Sequence, residues 1–214
     1  MKQVEGWWLP DHDKHISDEL VKTPEGFQID RLEGALKFVK SPQNKIALDI
    51  GAHVGTWTRR LCRDFKAVHA FEPVRDVFDC LRRNAATEGN VHLHSFGLFD
   101  RRGRWSVDTS YDETNTGSRF LREDPIGDLM TFTLDEFLLE DVGFIKIDVE
   151  GAEYRVLKGG MVTIARCKPV IVVECKRGFA SRFGDADEAV RMLLENAGAR
   201  LVARYRADHV YTWR

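Results

Sequence analysis

Lys45-Ile46-Ala47-Leu48-Asp49-Ile50-Gly51-Ala52-His53-Val54-Gly55 is a short apolar run that ends in an acid and two glycines four apart. A helical pattern follows at once, with Trp57, Leu61 and Phe65 recurring on one face. Strand, glycine turn and helix together are how a parallel α/β sheet builds a site for a nucleoside-bearing ligand. Glycine lets backbone approach the ligand closely, and a carboxylate there meets a polar or cationic group. Spacing narrows the ligand. A dinucleotide fingerprint places glycines where this chain has His53 and Thr56, and no Gly-Lys-Ser/Thr phosphate loop follows. A ligand with a sugar and a base but no phosphate fits, and S-adenosylmethionine is such a ligand.

The order of elements extends this reading in both directions. Strands are expected at 46–50, 67–71, 91–99, 143–149 and 169–174, with helices at 56–65, 74–86, 152–167 and 185–197 between and after them. Two adjacent strands at 201–205 and 209–213 close the chain as a hairpin turning at Ala207-Asp208. Alternating strands and helices imply a parallel sheet covered on both faces. Seven strands with that ending resemble the Rossmann-like class I methyltransferase fold: α/β, mostly parallel, with an antiparallel C-terminal hairpin. One domain spans 1–214. Residues 1–44 read as an arm or lid with a first helix, and 45–175 as the cofactor-binding core. Residues 100–132 form a polar insertion with a short strand near Trp105–Val107, and 176–214 hold the final helix and hairpin.

In an open α/β sheet, ligands bind beyond the carboxyl ends of the strands. Those ends hold Asp49 and Gly51, then Glu72, then Gly97 and Leu98, then Asp148 and Glu150, then Glu174. Acids at so many strand ends are unusual, because charge near a sheet core is costly unless paired or solvated. Glu72, followed by Pro73, is placed to accept both ribose hydroxyls, as the acid of dinucleotide folds does. Asp49 either holds the loop or meets the methionine amino group. Gly51, Ala52, His53 and Gly55 form the wall on the methionine side, and adenine is expected near 96–98.

Leu48–Gly55, Phe71-Glu72-Pro73, Thr133-Leu134-Asp135, Ile145-Lys146-Ile147-Asp148-Val149-Glu150-Gly151-Ala152-Glu153 and Val172-Val173-Glu174 together resemble the FkbM family of S-adenosylmethionine-dependent methyltransferases. The likeness covers about residues 45–175, and the string from Lys146 to Glu153 is its most specific part. It implies O-methylation of a sugar, glycan or small-metabolite hydroxyl, with S-adenosylhomocysteine as product. An alcohol is a poor nucleophile, so a base is expected, and Asp148 and Glu150 are the candidates. Two close carboxylates raise one another's proton affinity. The alternatives are a divalent cation held by Asp148, Glu150 and Glu174, or capping of the helix that follows or positioning of the cofactor, for which Asp148 is also a candidate. Lys146 is read as the partner of a nearby acid, and Trp57 as core.

Acceptor contacts are assigned to Trp7, Trp8, Trp105, Tyr111 and Asn115, since indole faces stack on sugars and other flat rings. His12 and His15 read as exposed loop in preference to metal ligands. A net charge of −2 disfavours a nucleic-acid acceptor, and the arginines at 101, 102, 104, 119 and 122 read as solvated surface. No apolar run is long enough to span a membrane, and no secretory leader is visible. Four cysteines without C-x-x-C spacing indicate reduced thiols and a cytoplasmic chain. Two readings compete with a sugar O-methyltransferase. One is the same fold acting on nucleic acid or protein, and the other is a nucleoside-binding module without turnover.

Overall fold

The computed structural model describes residues 1–108, 112 and 114–213. Its elements, in chain order, begin with β1 (Lys2–Val4), β2 (Trp7–Leu9), α1 (His15–Lys22) and α2 (Ile29–Leu36). The core follows as β3 (Ile46–Ile50), α3 (Thr56–Cys62), β4 (Ala67–Phe71), α4 (Arg75–Asn84) and β5 (Val91–His94). Next come β6 (Gly97–Leu98), β7 (Gly103–Asp108), β8 (Phe120–Glu123), β9 (Leu129–Phe132) and β10 (Val142–Ile147). The chain ends with α5 (Glu153–Lys158), α6 (Met161–Cys167), β11 (Val170–Glu174), α7 (Ala189–Asn196), β12 (Ala199–Tyr205) and β13 (Asp208–Trp213).

Seven strands form one sheet in the order β12-β13-β11-β10-β3-β4-β5. The five from β11 to β5 are parallel, and β13 and β12 add antiparallel at the other edge. This is the expected sheet. Successive strand side chains point to opposite faces, and the core divides accordingly. Leu48, Ile50, Ile171 and Val173 pack with Val156, Leu157, Ile164 and Leu194 of the three later helices. Ala47, Phe144, Val170 and Val172 pack with Leu32, Trp57 and Leu61 on the other side. Order reverses between β3 and β10, so the ends of those two strands flank the crevice where ligands enter such sheets.

Three expected elements are built differently. The strand expected over 91–99 divides: β5 stays in the main sheet, while β6 joins β9, β7 and β8 in a second, four-stranded sheet. Gly97 pairs with Thr131 of β9, and a Cβ there would press on Leu121 and Thr131 at 3.3 Å. The insertion thus supplies three strands in place of one. The helix expected over 152–167 breaks into α5 and α6 at Gly159-Gly160, where a Cβ on Gly159 would lie 2.1 Å from the Phe99 carbonyl oxygen. The C-terminal hairpin turns at Arg206-Ala207, one residue earlier than expected, with Arg206 in a left-handed conformation at φ 56°.

The N-terminal arm is anchored. Trp7, Leu9, Ile16 and Leu20 pack on Val54, Val77 and Cys80. All four cysteines are free. Among the described residues no helix is long and apolar enough to cross a membrane.

Candidate functional site

A cavity of about 340 Å³ opens at the ends of β3, β4 and β10. That volume lies within the range of small-molecule sites. Gly51, Ala52, His53, Glu72, Pro73, Gly97 and Leu98 border it, as do Asp148, Glu150 and Glu174. Most of the cofactor and catalytic residues read from sequence therefore meet in one place.

Two do not reach its wall. Gly55 takes φ 91° to start α3, with Leu81 packed where a side chain would go. Asp49 shares the Ala47 face of β3, beneath α3, and is fully buried. Thr58 donates its hydroxyl to Asp49 Oδ2 at 2.6 Å, and Lys146 Nζ lies 3.5 Å from Oδ1. These contacts place Asp49 beneath the loop and away from the cavity wall. Lys146 also donates to the Gly51 carbonyl at 2.7 Å. At Gly51 only glycine fits: φ is 74°, and a Cβ would sit 1.8 Å from the Asp148 carbonyl oxygen.

Glu72 is pinned by backbone. Its Oε2 accepts His53 N–H at 3.0 Å and its Oε1 accepts Val74 N–H at 2.9 Å. Burial pushes this carboxyl up to about 7, against the pull of those two donors. Each oxygen retains acceptor capacity toward the cavity.

The end of β10 carries the densest charge. Asp148, Glu150 and Glu174 each offer an oxygen within 4.8 Å of the others. Glu150 reaches the group because the turn after β10 is left-handed, with φ 56° at Glu150 and 113° at Gly151. Glu153 holds that turn from below, accepting Val149 N–H at 3.2 Å and Gly151 N–H at 3.0 Å. Burial would raise the Asp148 carboxyl. The ammoniums of Lys146 and Lys176 and a hydrogen bond with Glu174 outweigh it, so Asp148 sits below its ordinary value. Burial, followed by the charge of Asp148, pushes Glu174 up to about 9. The same two causes raise Glu150. The mutual rise in proton affinity expected of close carboxylates is thus found at Glu150 and Glu174 and not at Asp148.

The roof comes from the arm and the insertion. Asp13, wholly buried, accepts Ile16 N–H at 2.9 Å and Thr116 N–H at 3.0 Å, and also receives the Thr116 hydroxyl. The His53 ring meets Thr116 Oγ1 at 2.7 Å through Nε2. Burial holds this imidazole down to about 4, so it is neutral. His15, Ile16, Phe27 and Gln28 line the cavity from the arm, and Asn115, Arg119 and Phe120 line it from the insertion. Asn115 also accepts Gly117 N–H at 3.1 Å.

The tryptophans expected to contact the acceptor are elsewhere. Trp7 is 4% exposed, donates to the Pro24 carbonyl at 2.9 Å and lies under Arg59. Trp8 lies under Arg83, with its backbone N–H held by Asn84 at 2.7 Å. Trp105 is 2% exposed, packed on Phe99 and bonded to Thr131. The Trp7 and Trp105 indoles are satisfied by tertiary partners, Trp8 is half-buried against Arg83, and none of the three borders the cavity. Tyr111 lies outside the described residues. The aromatic rings at the wall include Phe27, Phe120 and Phe183, with the buried Trp57, Phe71 and Phe99 behind them. His12 meets Arg119 at 2.6 Å rather than pairing with His15. Thr133-Leu134-Asp135 has a structural role, since Asp135 caps α6 by accepting the N–H groups of Val162 and Thr163 at 3.1 and 2.8 Å.

Residues 49–201 match the family model described as the methyltransferase FkbM domain. The hexuronic acid methyltransferase AglP of Haloferax volcanii is 28% identical over 144 residues, which are 65% of this chain and 59% of AglP. The chain thus spans less than two thirds of that relative. Methyltransferase FkbM from Methylobacillus flagellatus KT is similar in fold, with a TM-score of 0.52 at 18% identity over 83% of this chain and 45% of that one. SMU.1697c from Streptococcus mutans, solved in complex with SAH, gives a TM-score of 0.54 at 13% identity over 86% and 96%.

Proposed function

The chain belongs to the FkbM methyltransferase family, and from that premise we propose that it is an S-adenosylmethionine-dependent O-methyltransferase acting on a hydroxyl of a sugar, glycan or related small metabolite. One observation carries the reading. A single cavity at the point of strand reversal is bordered by Glu72, with both oxygens anchored and still able to accept, and by the ionised Asp148. The cavity's size and its polar ends suit a nucleoside with an amino-acid tail. When bound, S-adenosylmethionine supplies a methyl group on a sulfonium, whose bond to sulfur breaks as the acceptor oxygen bonds to carbon.

The chain's own residues do the rest. Glu72 receives the ribose hydroxyls, and Gly51, Ala52 and His53 take the methionine side. Pro73, Gly97 and Leu98 flank the adenine. Asp148 takes the hydroxyl proton of the acceptor, with Glu150 beside it. Alignment of acceptor and donor is worth as much as the base. Phe27, Phe120 and Phe183 offer apolar faces for a sugar ring, with Asn115 and Arg119 as polar neighbours. The sugar reading draws on the likeness to AglP, a hexuronic acid methyltransferase.

Isothermal titration with S-adenosylhomocysteine tests the donor site, and the reading requires binding that Glu72→Ala weakens. Mass-spectrometric screening of sugars and glycans with donor supplied tests the acceptor, through a gain of one methyl group. With an acceptor in hand, Asp148→Asn lowers kcat by about 100-fold or more. Undiminished turnover by both Asp148→Asn and Glu150→Gln would remove the assigned base.

A further inference from the structure

Lys176, two residues past the end of β11, lies inside the carboxylate cluster. Its Nζ is 2.6 Å from Glu150 Oε1 and 2.7 Å from Glu174 Oε2. The two carboxylates are buried, at 7% and 6% side-chain exposure. Arg182 holds Glu150 as well, donating to its carbonyl oxygen at 2.9 Å. Three carboxylates this close form an oxygen set of the kind that takes a hard divalent ion. Here a tethered ammonium already bridges two of them. Lysine suits the task, because its charge is compact and its three donors serve more than one acceptor.

We infer that Lys176 is the resident cation of the Asp148–Glu150–Glu174 cluster, holding Glu150 and Glu174 in the arrangement a divalent ion would otherwise impose. A metal entering the cluster must displace the ammonium or share the space with it, and like charges at that range repel strongly. The cluster of the native chain therefore takes no metal, and removing the ammonium turns it into a metal site.

The test uses the full chain and Mn²⁺ alone. Binding is followed by isothermal titration and by the paramagnetic resonance of free Mn²⁺. Wild type and Lys176→Arg are expected to show no stoichiometric site. Lys176→Met is expected to gain one site per chain, tighter by on the order of 100-fold than any binding by wild type. Adding Glu174→Gln to Lys176→Met should abolish that site. Stoichiometric Mn²⁺ binding by wild type that Glu174→Gln removes overturns the inference, and so does a folded Lys176→Met that gains nothing. Circular dichroism checks the fold. If Lys176→Met does not fold, Lys176→Gln carries the same comparison, and the wild-type titration still decides against the inference on its own. The claim rests on the cluster's geometry and not on methyl transfer. Failure to bind S-adenosylhomocysteine would end the proposed function and leave this claim standing.

Discussion

Replacing Glu72 with Gln separates the carboxylate's structural work from its expected work on a ligand. Both oxygens accept a backbone N–H, from His53 at 3.0 Å and from Val74 at 2.9 Å. The amide puts an NH₂ group against one of those donors whichever way it lies, at a cost of about 1–3 kcal/mol. Charge acts in the opposite direction. Burial raises Glu72 from 4.5 to about 7, so keeping it ionised in the folded chain above that pH costs about 3 kcal/mol. Gln carries no such cost. An acid raised on folding keeps its proton in the folded chain while the unfolded chain has released it. Its contribution to stability is thus full below about 4.5 and lost as pH rises through about 7. The stability gap between variant and wild type should then move in the variant's favour by about 2–3 kcal/mol from pH 5 to pH 8. Near pH 8 the two effects roughly cancel. Urea unfolding at both pH values measures the gap, and other titrating groups drop out of the difference. S-adenosylhomocysteine affinity has no such compensation. Loss of one charge-assisted acceptor should weaken it by about 10- to 100-fold. An unchanged dissociation constant in a variant of unchanged stability at pH 8 refutes the ribose role. A gap that does not move with pH refutes the buried, raised acid.

Other perturbations follow from the same geometry. Gly51→Ala places a Cβ 1.8 Å from the Asp148 carbonyl oxygen, whereas at Gly178, φ 80°, a Cβ meets nothing within 4 Å. The first should unfold the chain or abolish S-adenosylhomocysteine binding, while the second should cost only about 1–2 kcal/mol in urea unfolding. Trp105→Phe removes the 2.8 Å bond to Thr131 and should lower stability by about 1–2 kcal/mol without changing the KM of an identified acceptor. Phe120→Ala, at the cavity wall, should raise that KM. Burial holds His53, His69 and His94 down to about 4, so they stay neutral while the unfolded chain protonates. Their contribution is lost as pH falls from 6.5 toward 4, and His94→Phe should flatten that loss in urea midpoints measured at pH 7 and pH 5.

The glycine loop, Glu72 and the closing hairpin were legible because their signals are local: a strand-end acid, glycines at fixed spacing, and two strands joined by a tight turn. The split of 91–99 was not. Its alternation of apolar residues with His92 and His94 passes into Ser95 and Phe96 without a proline or a turn pair, and what sets β6 apart from β5 is pairing with β9 at Thr131 and Phe132, more than thirty residues on. The break between α5 and α6 did have a local mark in Gly159-Gly160, since glycine weakens helix interiors. The tryptophans misled because an indole reads alike in a groove and in a core. Only tertiary partners such as Pro24 and Thr131 tell the two apart. Lys176 has no such signal, because an exposed-type residue beyond a strand carries no period to place it.

The many strand-end acids, costly on first reading, are each compensated differently, and the differences single one out. Asp49 has the Thr58 hydroxyl and Lys146. Asp148 has Lys146 at 3.8 Å and a hydrogen bond with Glu174. Glu174 has Lys176, and burial beside Asp148 favours its protonated form. Asp100, beyond β6, has Arg155 at 3.1 Å and Lys158 at 3.4 Å. Glu72 is 6% exposed and, among the described residues, is hydrogen-bonded by two neutral backbone donors. Neutral donors stabilise a buried carboxylate less than a cation does, and its rise to about 7 reflects that deficit. A ligand that brings hydroxyl donors to the two oxygens makes up part of the deficit. Among these acids, Glu72 therefore gains most from a bound ribose, and its proton affinity should fall when the cavity is filled.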